Sequence, residues 1–143
     1  MVCALSLGHD RAVQKKILAA AAVLLAALGL AGCRAEPAVP SVATFQVVDQ
    51  TFKIELDTPE LVQHAIDLMN REELPAIPVG TIVRDDPSVN EPWSWHIDPR
   101  SLEFADFTTE VCDGLPEYVE DGTLTSDVYC PWIAEVIAVE PVD

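Results

Sequence analysis

Hydrophobic and polar positions change their period several times along the chain, and each change predicts an element. Ile17 to Gly32 is an uncharged, Ala/Leu-rich run with no polar face. As a helix its 16 residues would span about 24 Å, short of a hydrocarbon core of roughly 30 Å. Arg34 to Ala43, with Pro37 and Pro40 among small residues, reads as a tether. Alternation with period two then sets in. Thr44–Val48 (T-F-Q-V-V) and Thr51–Leu56 (T-F-K-I-E-L) predict two half-buried strands about a turn at Asp49-Gln50, with Phe52, Ile54 and Leu56 on one face. After Thr58, a natural N-cap, the period lengthens to that of a helix, with Pro59 at the first helical position and Glu60 at the positive end of the dipole. Leu61, Val62, Ala65, Ile66 and Met69 form its apolar stripe, which fades over Asn70–Glu73 before Pro75 and Pro78. His64 lies off that stripe, where a surface salt link to Glu60 is expected.

The second half is shorter in period and more polar. Val79–Val83 predicts a short strand and Arg84–Pro92 a polar loop. In Trp93-Ser94-Trp95-His96-Ile97-Asp98, closed by Pro99, strand geometry puts Trp93, Trp95 and Ile97 on one face and Ser94, His96 and Asp98 on the other. Leu102–Asp106 can form a further strand, Leu115–Glu120 a short acidic helix, Asp121-Gly122 a turn and Thr123–Tyr129 a loop. Trp132–Val139 is apolar enough to predict a final strand that is central or covered on both faces. No repeat and no second domain are visible. The pattern predicts an α+β fold, a mainly antiparallel sheet with one principal helix packed on one face, as a single domain at residues 44–143.

Charge changes the picture at the N-terminus. Arg11, Lys15 and Lys16 precede the apolar run, and Leu30-Ala31-Gly32-Cys33 closes it. A basic segment, a short apolar segment, small residues and then a cysteine resemble a bacterial lipoprotein signal peptide. The resemblance implies that residues 1–32 are removed and that Cys33 is acylated. Residues 33–43 then tether an extracytoplasmic domain to the cell membrane or outer membrane. Arg34, rather than Asp, follows the cysteine, so the usual signal for inner-membrane retention is missing.

Removing the leader sharpens the composition. The formal charge of the whole chain is −16. Without the leader it becomes −18, from five basic and 23 acidic residues over 111 positions. Such a surface repels phosphate backbones and anionic headgroups, which excludes nucleic acid as a partner. It suits cationic partners or divalent cations. Of the four cysteines, Cys3 falls in the leader and Cys33 would carry lipid, so Cys112 and Cys130 remain to form one disulfide.

The candidate chemistry is sparse. His96 and Asp98 share a strand face, and with Glu110 and Asp113 they make a candidate cation site. Carboxylates alone would favour calcium, and His96 would favour zinc. Trp93 and Trp95 are expected in the core, with stacking on a ligand as the alternative. The chain has no H-E-x-x-H, no calcium loop, no phosphate cradle and no G-x-S-x-G. About 100 residues also leave little room for a deep cleft, so no catalytic residue and no enzyme are expected. The leading expectation is a membrane-anchored binding module for a protein or small ligand, with no required cofactor. A divalent-cation domain comes second and a small metal-dependent hydrolase last. A binding module predicts an exposed apolar patch amid the acidic surface.

W-S-W-H-I-D-P (93–99) with E-V-C-D-G (110–114) follows an F-x-V, F-x-I-x-L hairpin and a G-T-I-V strand (80–83). Together these segments resemble a family of small secreted bacterial domains. Its relatives elsewhere sit at the N-terminus of larger proteins, and some carry a calmodulin-binding label. The resemblance spans about residues 44–139. It implies export and the importance of the two motifs, and no role for any single residue.

Overall fold

The computed structural model describes residues 39–142, so the leader and Cys33 lie outside the described residues. The elements are β1 (Ser41–Val47), β2 (Gln50–Leu56), α1 (Pro59–Met69), β3 (Ile77–Val83), β4 (His96–Ile97), β5 (Glu103–Ala105), α2 (Pro116–Glu120), β6 (Val128–Tyr129) and β7 (Glu135–Pro141). All strand pairs are antiparallel. Three strands form one sheet in the order β2-β1-β7; the second has the order β4-β3-β5, with β6 also on β3. The fold is α+β with one principal helix and a disulfide, as the pattern predicts, but its strands are divided between two sheets.

Alternation explains the hairpin. Ala43, Phe45 and Val47 of β1 and Phe52, Ile54 and Leu56 of β2 are all buried. Phe45 sits opposite Phe52, and their rings stack with centroids 5.2 Å apart. β1 starts three residues before Thr44, because Ser41–Ala43 pair with both β2 and β7; those residues are strand rather than tether. The turn is Val48-Asp49, one residue earlier than expected.

The helix is capped as its sequence dictates: Leu61 N donates to Thr58 Oγ1 at 3.2 Å. Ala65 is its buried contact residue, and α1 packs chiefly on β7. His64 departs from expectation. Its Nε2–H donates to Pro75 O at 2.7 Å, and its ring stacks on Phe104 at 4.3 Å. A packed aromatic neighbour and a fixed carbonyl hold the imidazole where a solvated Glu60 contact was expected.

β7 also corrects the sequence reading. It is an edge strand and none of its residues is fully buried. Its apolar content serves one face only, where Val136 and Val139 pack against the core. Thr44 pairs with Ala138 and Phe45 with Val136, so Ile137 is an extra, bulged residue. In the second sheet Gly80 has to be glycine: a Cβ there would press into Ile97 Cγ2. An aromatic cluster fills the interior. Tyr129 meets Phe52 edge-on at 5.3 Å and Trp95 at 5.4 Å.

Candidate functional site

The W-S-W-H-I-D-P segment forms little regular strand, since only His96–Ile97 pair with β3, but it keeps its two faces. Trp95 and Ile97 are buried. Trp95 is enclosed by Phe52 and Tyr129, so it is a core residue with no ring face for a ligand. Its indole N–H is buried without a hydrogen-bond partner. Trp93 is half-buried and donates from Nε1 to Thr51 O at 2.7 Å. It lines an open groove of about 610 Å³ with Asp85, Pro87, Glu91, Pro92 and Ser94. Ser94 N and Oγ both donate to Glu120 Oε2, tying the segment to α2.

The four candidate cation ligands are not brought together. The Nδ1–H of His96 donates to Asp86 O at 2.7 Å, which turns the ring toward its own loop. Asp98 caps the turn that follows: it accepts from Arg100 N and pairs with the Arg100 guanidinium at 3.0 Å. Those bonds hold its carboxyl below the usual carboxylate range. Glu110 and Asp113 belong to the disulfide loop, and Asp113 Oδ1 accepts from Trp132 N at 2.9 Å. Among the described residues no three His, Cys, Asp or Glu side chains are placed to share a metal ion. Each predicted ligand already has a local structural task or stands alone.

The disulfide organises a different site. Cys112 and Cys130 are joined, with Cα atoms 5.1 Å apart. Cys130 N donates to Cys112 O at 2.8 Å, and Thr108 Oγ1 donates to Cys130 Sγ. Trp132 Nε1 closes the corner on Thr108 Oγ1 at 2.6 Å. Two loops, 107–113 and 130–134, are thereby locked together. Both present apolar side chains to solvent: Phe107 is 86% exposed, Val111 75%, Ile133 61% and Trp132 41%. Asp106, Glu110 and Glu135 adjoin them and are exposed.

Phe107, Val111 and Ile133 were not singled out from the sequence. The available signal was the phenylalanine of F-T-T-E-V-C-D-G, an aromatic residue in a polar stretch with no periodicity to bury it. Among the described residues no helix is long and apolar enough to cross a membrane. No curated protein and no solved structure matches the chain. A family model, the BP-74 N-terminal domain, matches residues 38–143, which takes in both sheets, the tryptophan segment and the disulfide corner. The chain therefore belongs to the BP-74 N-terminal domain family.

Proposed function

We propose that this domain is an extracytoplasmic binding module that docks a partner on its disulfide corner, held at the membrane by lipid on Cys33. One observation carries the reading: Phe107 and Val111, the two most exposed large apolar side chains among the described residues, sit on a loop stapled by Cys112–Cys130. Single exposed apolar residues are ordinary on soluble proteins. Here four of them sit on two loops that are covalently and hydrogen-bond locked, and loops held in place in this way lower the ordering cost of association. The leader resemblance supports the location, and the disulfide suits an oxidising compartment.

The test is co-purification of the native membrane-anchored chain in mild detergent, beside a Phe107→Ser/Val111→Ser variant. Both side chains are solvent-exposed, so the variant is expected to fold normally. A partner recovered with the native chain and lost with the variant is the expected result. Equal recovery with both would remove the corner from the binding surface. Melting the chain with calcium, zinc or EDTA checks the cation alternative, because a native-state ligand raises Tm by mass action. A rise with either ion would favour that alternative.

A further inference from the structure

We infer that the partner seated on the disulfide corner is a cationic, amphipathic polypeptide segment: apolar anchors cover Phe107, Val111, Trp132 and Ile133, while Lys or Arg side chains pair with the carboxylates around them. The inference rests on the binding-module reading and adds the chemistry of the partner.

Charge complementarity is the argument. From Ser101 to Asp143 the chain has 11 acidic residues and no Lys, Arg or His. Asp106 adjoins Phe107, Glu110 adjoins Val111, and Glu135 follows Ile133 by two positions. No cation within this segment can neutralise them. Of the three arginines among the described residues, Arg71 lines a groove with Glu135, and the other two are committed elsewhere. Arg84 donates to the carbonyls of Val119, Leu124 and Ser126, and Arg100 pairs with Asp98. A partner that covers the apolar residues must also desolvate the adjoining carboxylates, which is costly unless it brings opposite charge.

The other occupants fail on the same ground. A second copy of this chain would set carboxylates against carboxylates, and an anionic bilayer would do likewise. A neutral bilayer would strip water from Asp106 and Glu110 without offering a fixed countercharge. A cationic segment gains on both counts, and its association would be steered by the long-range field and weakened by salt.

The experiment places a photo-crosslinking amino acid at position 107 of the full-length chain in the cells that make it. A second chain carries the group at position 48, on the β1–β2 turn, as the control. The expected adduct at 107 is a polypeptide segment with net positive charge and interleaved apolar residues. Its yield is expected to fall more than fivefold in an Asp106→Asn/Glu110→Gln/Glu135→Gln variant, with unchanged circular dichroism, and again when salt is raised. An adduct to a neutral or acidic segment, or an unchanged yield in the carboxamide variant, overturns the inference and leaves the binding module standing. Adducts to lipid or to a second copy also overturn it. If position 107 captures nothing beyond the position-48 control, the binding-module reading falls as well.

Discussion

The side-chain amide of Asn90 donates from Nδ2 to the carbonyl of Trp95 at 2.8 Å, deep enough that Asn90 is 1% exposed. Its Oδ1 accepts from Lys53 N at 2.7 Å, so one amide fastens the tryptophan segment to the outer edge of β2. An edge strand needs its donors satisfied or covered, and Asn90 covers this one. Asn90→Ala leaves a donor and an acceptor without partners, at about 1–3 kcal/mol each. The expected loss in urea unfolding is about 3 kcal/mol. Asn90→Asp keeps the acceptor, removes the donor and buries charge, so it should be at least as damaging. A loss below about 1 kcal/mol in Asn90→Ala would mean that packing alone holds the segment.

Val48 occupies the β1–β2 turn with φ at 57° and is 60% exposed. A β-branched residue in the left-handed region is strained, and glycine is not. Exposure means that little packing is lost by truncation. Val48→Gly is therefore expected to stabilise the domain by about 1 kcal/mol, after the entropy glycine returns to the unfolded chain is subtracted. Thermal melting at fixed pH reads the sign, and a lower Tm would show that the valine has a packing role.

What was legible in the chain was local. Thr58-Pro59-Glu60 opens a helix because cap, fixed φ and dipole all act within one turn. T-F-K-I-E-L alternates because one side of β2 faces the core. Long-range order was not legible. Asn90 lies in a polar loop, and its burial is imposed by a bond to a residue 37 positions away. The apolar run in β7 looks alike whether the strand is central or at an edge, since strand order depends on partners far along the chain. The corner shows the same limit. Cys112 and Cys130 were pairable by counting, yet the loops of Phe107 and Ile133 are also joined by bonds from Cys130 N to Cys112 O and from Trp132 to Thr108, which counting does not show.

The disulfide closes a loop of 18 residues, which in the chain-entropy model is worth about 3 kcal/mol. Cys112→Ser/Cys130→Ser is expected to lower stability by that order. It should also loosen the corner before the core. Trp132 is partly exposed and Trp95 is enclosed, so quenching of tryptophan emission by acrylamide should rise in the variant at temperatures where the far-ultraviolet circular dichroism is unchanged. Simultaneous loss of both signals would place the staple within the cooperative core.

Tyr129 sets a limit on alkaline stability. Its ring is buried among Phe52 and Trp95, and its hydroxyl donates to Gly114 O at 3.0 Å. Burial first, and then the negative charge of Asp113, push its ionisation far above the ordinary tyrosine value of 10.0. The native chain thus keeps a proton that the unfolded chain releases near pH 10. Where the native state holds the extra proton, stability falls as pH rises. Tyr129 therefore contributes fully below about pH 10, and above that the native chain loses about 1.4 kcal/mol per pH unit through this group. Tyr129→Phe removes the hydrogen bond and should be about 1 kcal/mol less stable at neutral pH. It also removes the linkage, so the two stabilities should converge between pH 10 and 11, with every other titrating group common to both. Urea unfolding at pH 7, 9, 10 and 11 supplies the comparison. Parallel curves for the two proteins would show that Tyr129 ionises as readily in the fold as out of it.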